Sequence, residues 1–332
     1  MTVDGSVRPY DRSALWSEGD VAVAEGLEKV REAAGRYALD APSDVAAFDQ
    51  GYAVLHDEFG ETEDIERYDT LRAWFDASSL SPANAPISVR YHMVLARDRD
   101  GTLAGIRDCF TTVDPVAGRA VVLLSHSLVM PAHRRTGLAA LLRQVPIGLA
   151  RQHLGGAGEI LLAAEMEHVS PEDRDSVIRL VAYGRAGYRV VPPEVFPFAQ
   201  PDFTEAVEQG AQPRPLPFLT VVRQVGEEGR ADIPLGRLHA IVDHLLAIHA
   251  CHSRAEHLAP IRAHVLAGLS SAVDPLPLLP LPTTTADLTR LAPLLSSVVL
   301  PLYPQAWRCC TPTDPPSVEL AAVIAAWTPE AR

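Results

Sequence analysis

Three apolar, β-rich segments follow one another between residues 88 and 129, separated by two short turn signals. The segments are 88–96, 103–113 and 119–129, and the turns are Asp98-Arg-Asp-Gly101 and Asp114-Pro-Val-Ala-Gly118. Turns this short join neighbouring antiparallel strands, because a parallel pair needs a crossover of roughly a dozen residues or more. The sequence therefore predicts an antiparallel meander around which the flanking elements must pack.

Helical periodicity lies on both sides of the meander. Before it, apolar residues recur at steps of three and four between residues 48 and 75, which indicates amphipathic helices. After it, the predicted elements are helices at 137–153 and 172–186, a strand at 159–164, and closing strands at 188–191 and 216–225. Pro146 should kink or interrupt the helix at 137–153. The pattern predicts a mixed α/β fold with a mainly antiparallel sheet.

The last third of the chain differs in texture from the rest, since proline is frequent and no long alternating strand is visible. Its predicted helices cover 235–251, 256–269, 286–300 and 318–327, with an apolar, proline-broken connector at 274–282. We therefore predict a first domain over residues 1–225 and a helical, Pro-rich appendage over residues 226–332. Its apolar helices should dock on the first domain or on the second subunit of a homodimer.

Composition narrows the classes of function. The net charge of −13 would repel a phosphate backbone, so we expect no nucleic-acid partner. No apolar stretch approaches the ~20 residues of a membrane helix, and residues 1–10 lack the apolar core of a signal peptide. The four cysteines are irregularly spaced, and the histidines after residue 239 lack a zinc motif. We expect a cytoplasmic protein with reduced thiols and no metal.

Acidic residues are concentrated in residues 40–76, which contain eleven acidic residues against Arg67 and Arg72, a net charge of −9. Two interpretations are open. The residues form the solvated outer face of helices, or they form an acidic wall that attracts a cationic ligand.

The most informative stretch runs from Ser125 to Ala139, where the third meander strand enters a basic loop that opens a helix. Arg134 and Arg135 supply positive charge, and small residues follow where the helix begins. Free N–H groups in a first helical turn, together with the helix dipole, favour an anion there. The stretch lacks a P-loop and a GxGxxG motif, so it predicts a pyrophosphate cradle outside the common nucleotide folds.

These residues resemble the GNAT superfamily of N-acetyltransferases. The family signature Arg/Gln-x-x-Gly-x-Gly/Ala, after Val-x-Pro, is matched by Val129-Met-Pro131 and then Arg134-x-x-Gly137-x-Ala139. A second family signature, Tyr-x-x-x-Gly-Phe/Tyr at the end of a helix, is matched by Tyr183 to Tyr188. The resemblance covers residues 10–225 and is sharp over 120–190.

The resemblance implies a sheet splayed between its fourth and fifth strands, with the pantetheine arm of acetyl-CoA in the splay. It implies a general-acid role for Tyr183, which would protonate the departing thiolate. One departure is the linker after the fifth strand, where His168 and Ser170 stand and many members have asparagine. The implied contacts to the cosubstrate come from Val129, Arg134, Arg135, Thr136, Gly137, Leu138 and Ala139.

Amine acylation also needs a group that removes the proton of the ammonium. His126 on the long strand and Glu165 after the next strand are the main candidates, and each could equally be a hydrogen-bonded structural residue. Alternation places His126 and Leu128 on one face of the strand and Ser125, Ser127 and Val129 on the other. Further candidates are Ser127, Glu167 and His168.

The predicted function is transfer of an acetyl group from acetyl-CoA to a primary amine, on a small molecule or a peptide. The acidic residues 40–76 favour a cationic acceptor, such as a polyamine, an amino sugar or a basic peptide end. Two alternatives stay open: transfer of a longer acyl chain, and a non-catalytic module that binds CoA.

Overall fold

The computed structural model describes most of the chain, which divides into two compact units, Met1–Leu162 (unit 1) and Ala163–Arg332 (unit 2). The described residues are 11–60, 65–166, 174–203, 207 and 215–284. The helices predicted at 286–300 and 318–327 lie outside them, as do Glu167, His168 and Ser170. The predicted functional division after residue 225 stays a prediction.

Unit 1 contains the meander. Its strands are β1 (Ala38–Asp40), β2 (Ser88–Arg97), β3 (Leu103–Asp114) and β4 (Arg119–Val129). They are hydrogen-bonded in the order β1-β2-β3-β4, and each neighbouring pair is antiparallel. The predicted three-stranded meander is therefore confirmed, with a short fourth strand added at its edge.

Four helices cover the two faces of this sheet: α1 (Leu27–Arg36), α2 (Val45–Phe59), α3 (Tyr68–Asp76) and α4 (Leu138–Leu154). A Cβ on Gly51 of α2 would meet the side chains of Met93, Leu95 and Ile106, so α2 packs on that face. A Cβ on Gly105 of β3 would meet Leu138 and Leu142, so α4 packs on the opposite face. We call these the α2 face and the α4 face.

Helix α4 runs without interruption through Pro146, so the break that this proline could have caused does not occur. Pro146 is buried among other core residues of the helix. Two ion pairs tie the N-terminal 3-10 turns to α4, and both acids are buried: Arg143 with Glu25, and Arg151 with Asp20. Burial of the helix thus outweighs the one backbone hydrogen bond that a proline removes.

The described residues of unit 2 form short strands and three helices. Strand β5 (Glu159–Met166) begins in unit 1 and continues into unit 2. The remaining strands are β6 (Arg189–Val190), β7 (Ala199–Gln200), β8 (Leu216–Pro217), β9 (Leu219–Gln224), β10 (Asp232–Ile233), β11 (Leu276–Pro277) and β12 (Leu279–Pro280). The helices are α5 (Arg174–Arg185), α6 (Leu235–His249) and α7 (Ala255–Leu269).

Strand pairing in unit 2 is antiparallel between β6 and both β9 and β12, between β10 and β11, and between β7 and β8. Two of these strands, β11 and β12, come from the connector that the sequence predicted only as a proline-broken link. The proline at the end of each two-residue strand keeps the strands short. The predicted class, mixed α/β with a mainly antiparallel sheet, is confirmed.

A buried histidine network joins the C-terminal end of α4 to the meander. Thr111 Oγ1 lies 2.7 Å from His92 Nε2 and 2.7 Å from His153 Nδ1, while Ser88 Oγ lies 2.8 Å from His153 Nε2. Burial, followed by the charge of Arg90 and the neighbouring histidine, lowers the pKa of His92 to about 3. Burial and Arg90 also lower the pKa of His153 to about 3. Both imidazoles are therefore neutral in the folded protein at neutral pH.

Acid should destabilise the fold through these two histidines. Their folded pKa values of about 3 lie below the unfolded value of 6.5, so the unfolded chain binds more protons in that interval. The stabilisation is fully present above pH 6.5 and is lost as the pH falls towards 3, at ~1.4 kcal/mol per pH unit for each histidine. His153→Gln should remove about one proton from the slope measured by urea unfolding between pH 6 and 4. The matched variant at the exposed His239 should leave the slope unchanged, and equal slopes in all three proteins would contradict the assignment.

Candidate active site

A β-bulge in β4 brings His126 to a buried carboxylate. Arg107 pairs with Ser127 and Cys109 pairs with Leu124, so two residues of β4 oppose the single residue Asp108. The extra residue lets the backbone N–H of His126 donate to Asp108 Oδ1 at 2.6 Å. Imidazole Nδ1 lies 3.2 Å from the same oxygen and 3.1 Å from Oδ2. The bulge thus aims the ring of His126 at Asp108.

The carboxylate of Asp108 is ionised. Burial alone would raise its pKa, but the charge and hydrogen bonds of His126 outweigh burial, and the pKa lies below its usual value. Tyr91 donates its hydroxyl to Asp108 Oδ2 at 3.0 Å. Burial and the adjacent carboxylate raise the pKa of Tyr91 well above 10, so this phenol stays protonated. An ionised acceptor at Nδ1 favours the proton on that nitrogen and leaves Nε2 as the basic one.

His126 lies on the α2 face, beside the acidic residues. The ring of Phe59, the last residue of α2, lies 4.8 Å from the imidazole, centroid to centroid. Asp57 and Glu58 precede it and are exposed. The predicted alternation holds from His126 to Val129, because Ser127 pairs opposite Arg107 on the α4 face, whereas His126 reaches Asp108 on the α2 face. The bulge interrupts the alternation between Leu124 and His126, which the sequence did not predict. The side chain of His126 is 11% exposed.

The loop between β4 and α4 has an unusual backbone. Arg135 has φ 65°, the only positive φ of a non-glycine residue within the described residues, and Gly137 has φ 88°. A Cβ on Gly137 would lie 2.6 Å from the carbonyl oxygen of Lys29 in α1. Gly137 is therefore required twice, by its left-handed conformation and by the close approach of α1. The sequence predicted a small residue here for a ligand, and the structure shows that α1 needs it as well.

Within the described residues, five consecutive backbone N–H groups at this loop have no hydrogen-bond partner, and we call them the open N–H groups. In the described part of the chain, no hydrogen-bond acceptor faces the N–H groups of residues 135–139. They belong to the end of the loop and the first turn of α4, where Leu138 and Ala139 have no acceptor inside the helix. The first turn of α4 contains no acidic residue. This backbone is a donor set for a multiply charged anion.

Three cationic residues lie on this loop or beside it. Arg134 and Arg135 are exposed on the loop. The third is Lys29, the only lysine in the chain. Its Cγ lies 3.0 Å from the position that a Cβ on Gly137 would occupy. No sequence pattern connects Lys29 with the loop, because 108 positions separate it from Gly137. The packing of α1 on α4 brings the two together.

A hydrogen-bonded support holds the loop from beneath. The hydroxyl of Tyr37, which is buried, lies 3.0 Å from Thr136 Oγ1 and 3.2 Å from His133 Nδ1. Thr136 donates to the carbonyl oxygen of His133 at 2.7 Å. These bonds use the Thr136 side chain, so its contribution to a ligand is its N–H group. Leu138 is buried in the core and likewise offers only its backbone.

In unit 2, Glu165 is buried and engaged. Its Oε1 lies 2.9 Å from Nε2 of His249, and His249 Nδ1 lies 3.3 Å from Nε2 of His252. The side chains of Glu165 and His249 are only 6% and 1% exposed. Burial, and to a lesser extent His249, lowers the pKa of His252 to about 3. Glu165 is thus the buried end of a hydrogen-bonded chain.

Tyr183 lies near the end of α5 and is half-buried. Its ring packs edge-to-face on Tyr188 at 5.0 Å, and the Tyr188 N–H donates to the carbonyl oxygen of Tyr183 at 3.1 Å. The two tyrosines of the second motif therefore contact each other across the turn at Gly187.

The described residues contain neither a cluster of metal-ligating side chains nor a helix that could span a membrane. Nowhere in them do three or more histidine, cysteine, aspartate or glutamate side chains meet in a way that could hold a metal ion. None of the helices that the structure describes combines the length and apolar character needed to span a bilayer.

Comparison with known proteins gives structural likenesses only. No protein-family model matches the chain, and no curated protein does. A spermidine N-acetyltransferase from Vibrio cholerae, solved with CoA and spermine, has a TM-score of 0.34 and 10% identity over 59% of this chain and 99% of its own. A GNAT-family acetyltransferase from Staphylococcus aureus Mu50 has a TM-score of 0.33 and 11% identity over 57% and 98%.

A third similar structure is the glucosamine N-acetyltransferase region of a fungal multi-domain β-N-acetylglucosaminidase, with a TM-score of 0.34 and 20% identity. That match covers 47% of this chain and 17% of the fungal protein. All three belong to the class whose motifs the sequence resembles.

The close packing of α1 on the loop predicts a stability difference between two glycines. Gly155 ends α4 with φ 79° and has open space where a Cβ would lie, whereas Gly137 has φ 88° and Lys29 against it. Gly155→Ala should cost ~1 kcal/mol of unfolding free energy for the left-handed backbone alone. Gly137→Ala should cost a further ~1–3 kcal/mol for the close contact. Equal losses in urea unfolding would show that α1 does not press on the loop.

Proposed function

We propose that this protein is an acyl-CoA-dependent N-acyltransferase that acylates a primary amine directly, with acetyl-CoA as the simplest donor. The observation that carries the proposal is the row of open N–H groups at residues 135–139. Two arginines and the only lysine accompany that row. This donor set fits a pyrophosphate, which offers several anionic oxygens to backbone N–H groups and guanidinium groups.

The residues proposed to hold the acyl-CoA are those that the sequence motif predicted. The N–H groups of Arg135, Thr136, Gly137, Leu138 and Ala139 would bind the pyrophosphate, with Arg134 and Arg135 adding charge. The pantetheine arm would run along the end of β4 and pair with the backbone of Val129. Lys29 is added to this set because it contacts the loop at Gly137.

His126 is the proposed general base. In the transfer, the amine nitrogen attacks the thioester carbonyl, the carbon–nitrogen bond forms, and the carbon–sulfur bond breaks. Nε2 of His126 would take the proton of the incoming ammonium, while Asp108 holds Nδ1–H and stabilises the imidazolium that forms. Glu165 is the weaker candidate because His249 already engages one of its oxygens and the side chain is almost fully buried.

Tyr183 is the proposed general acid, as the resemblance implies. A phenol hydroxyl can supply the proton that the departing thiolate needs. Tyr183 is half-buried near the end of α5. This role stays a proposal, with the thiolate as proton acceptor.

A cationic amine is the proposed acceptor. Exposed Asp57 and Glu58 flank Phe59, and the ring of Phe59 contacts His126. An acidic rim beside the base would raise the local concentration of a polyamine, an amino sugar or a basic peptide end. Such steering weakens as salt screens the charges. The free thiols of Cys109 and Cys251 suit the reducing cytoplasm, where we propose that the protein acts.

The loop between β4 and α4, residues 130–137, is called the cofactor loop from here on. Its positive charge predicts that the affinity for CoA depends on that charge. Arg134→Glu should weaken CoA binding by at least ~10²-fold, because it removes a charge-assisted contact and adds repulsion. Arg254→Glu makes the same change of net charge at an exposed arginine of unit 2 and should leave the Kd unchanged. Isothermal titration of free CoA measures both. Equal Kd values with intact circular dichroism would remove the pyrophosphate assignment.

The pairing of His126 with Asp108 predicts that a change at Asp108 lowers turnover without weakening CoA binding. Asp108→Asn keeps the shape of the side chain but removes the charge that orients and stabilises His126, so kcat should fall by ~10²–10⁴ with the Kd for CoA unchanged. Tyr91→Phe is the matched control, since it removes the hydroxyl at Oδ2 and leaves the contacts between Asp108 and His126 in place. We expect it to lose less than ~10-fold. Wild-type kcat in Asp108→Asn would eliminate His126 as the oriented base.

A further inference from the structure

Arg107 is a buried cation that the proposed reaction does not use. It lies in the middle of β3 with 3% of its surface exposed. Its Nε and Nη2 are buried and have no hydrogen-bond partner, and within the described residues no acceptor contacts any nitrogen of its guanidinium. Most buried guanidinium groups in proteins are paired, because burying an isolated charge is costly. A partner supplied by a ligand would remove that cost.

The neighbouring carboxylate does not fill this role. Both oxygens of Asp108 accept hydrogen bonds from His126 and Tyr91. Asp108 also lies on the α2 face, whereas Arg107, one residue earlier in the strand, points to the α4 face. The interaction between them is limited to long-range attraction, which lowers the pKa of Asp108.

Strand register places Arg107 close to the proposed path of the acyl-CoA. Arg107 pairs with Ser127, and Gly105 pairs with Val129, the last residue of β4 before the loop. Arg107 therefore lies two residues, ~7 Å, further from the loop than Val129 along the strand direction. Ser127, directly opposite Arg107, is exposed, so β4 is accessible at this point. Pantetheine paired with Val129 would carry its acyl group towards this pair.

The proposed acyl donor and the proposed acceptor lie on opposite faces of the sheet. The cofactor loop, α4 and Arg107 share the α4 face, as the contacts of Gly105 with Leu138 and Leu142 show. The acidic helices α2 and α3, which we propose as the acceptor side, pack on the other face through Gly51 and Trp74. An anionic group at Arg107 would therefore belong to the donor.

We propose that Arg107 binds a carboxylate at the end of the acyl chain, so that the preferred donor is a dicarboxylic acyl-CoA rather than acetyl-CoA. This inference rests on the proposed function. A guanidinium matches a carboxylate with two parallel hydrogen bonds, and it has no such match in a methyl group. With an acetyl donor the guanidinium stays buried and unpaired, and the site discriminates against a donor that leaves its polar groups without partners.

The transfer itself is unchanged by this choice. The amine nitrogen bonds to the thioester carbonyl carbon, the carbon–sulfur bond breaks, the ammonium proton passes to the base, and the thiolate leaves as the CoA thiol. The terminal carboxylate takes no part in the bond changes and stays on the product, which is an amide with a free acid. Arg107 is therefore a specificity residue rather than a catalytic one.

Titration with paired donors tests the inference without knowledge of the acceptor. Succinyl-CoA and butyryl-CoA have acyl chains of equal length and differ in the terminal carboxylate. The wild-type protein should bind succinyl-CoA ~10²-fold more tightly than butyryl-CoA, and Arg107→Met should abolish that preference without weakening butyryl-CoA. Arg97→Met is the matched control, an arginine of β2 whose guanidinium bonds to Gly101 and Gln50, and it should keep the preference.

Thermal unfolding without ligand gives a second readout. Arg107→Met replaces an unpaired buried charge with an apolar side chain, so its Tm should equal or exceed that of the wild type. Equal affinities for succinyl-CoA and butyryl-CoA in the wild type would overturn the inference and leave the acyltransferase proposal standing. A lower Tm in Arg107→Met with all CoA esters weakened alike would show a structural arginine and also overturn it. Failure of CoA itself to bind the wild type would instead remove the proposed function, and this inference with it.

Discussion

The hydrogen bonds that join β3 to β4 determine most of the candidate site. Their register changes once, opposite Asp108, and that change directs His126 to the carboxylate. The same register ends at the pair of Gly105 and Val129, after which the chain leaves the sheet as the loop. A slip of one residue would reverse the faces of every side chain in β4 and separate the base from its partner. The register between β3 and β4 thus positions both His126, the proposed base, and the start of the cofactor loop.

Close backbone packing adds the second constraint. Gly105 lets α4 approach the sheet, and Gly137 lets α1 approach the loop, each at distances that exclude a side chain. With α1 in place, Lys29 contacts the loop and Tyr37 supports it from below. The open N–H groups at the start of α4 are consequently fixed by residues that lie 96 to 108 positions earlier in the chain. An anion site held by backbone in this way loses little entropy on binding, because it is already ordered.

Sequence periodicity was enough to predict the meander, the helices α2, α3 and α4, and the loop before α4, because local sequence determines each of them. It could not predict that α4 passes intact through Pro146, since the burial that stabilises the helix is a tertiary effect. His126 was found as a candidate from its residue type and position. Its partner Asp108 was missed, although the Asp98 to Gly101 turn would have brought Tyr91 and Asp108 onto adjacent strands.

Long-range contacts account for what the sequence concealed. Lys29 and Tyr37 are ordinary residues of a helix and its end, and only the packing of α1 connects them with residues 133–137. Arg107 sits in a strand as an unremarkable polar residue, and only its burial without an acceptor distinguishes it. Glu165 looked available as a base until His249, 84 positions later, was found bonded to it. Each of these depends on a distance that no local pattern contains.

The central claim is that the molecule moves an acyl group from CoA to an amine, and release of the CoA thiol tests it most directly. Wild-type protein is mixed with acetyl-CoA or succinyl-CoA and a panel of polyamines, amino sugars and basic peptides, while free thiol is followed and products are weighed by mass spectrometry. The account predicts amine-dependent thiol release in equal amount to a new amide, fastest for a cationic amine. Firm binding of CoA with no amine-dependent thiol release from either donor would contradict it and identify a non-catalytic CoA-binding protein.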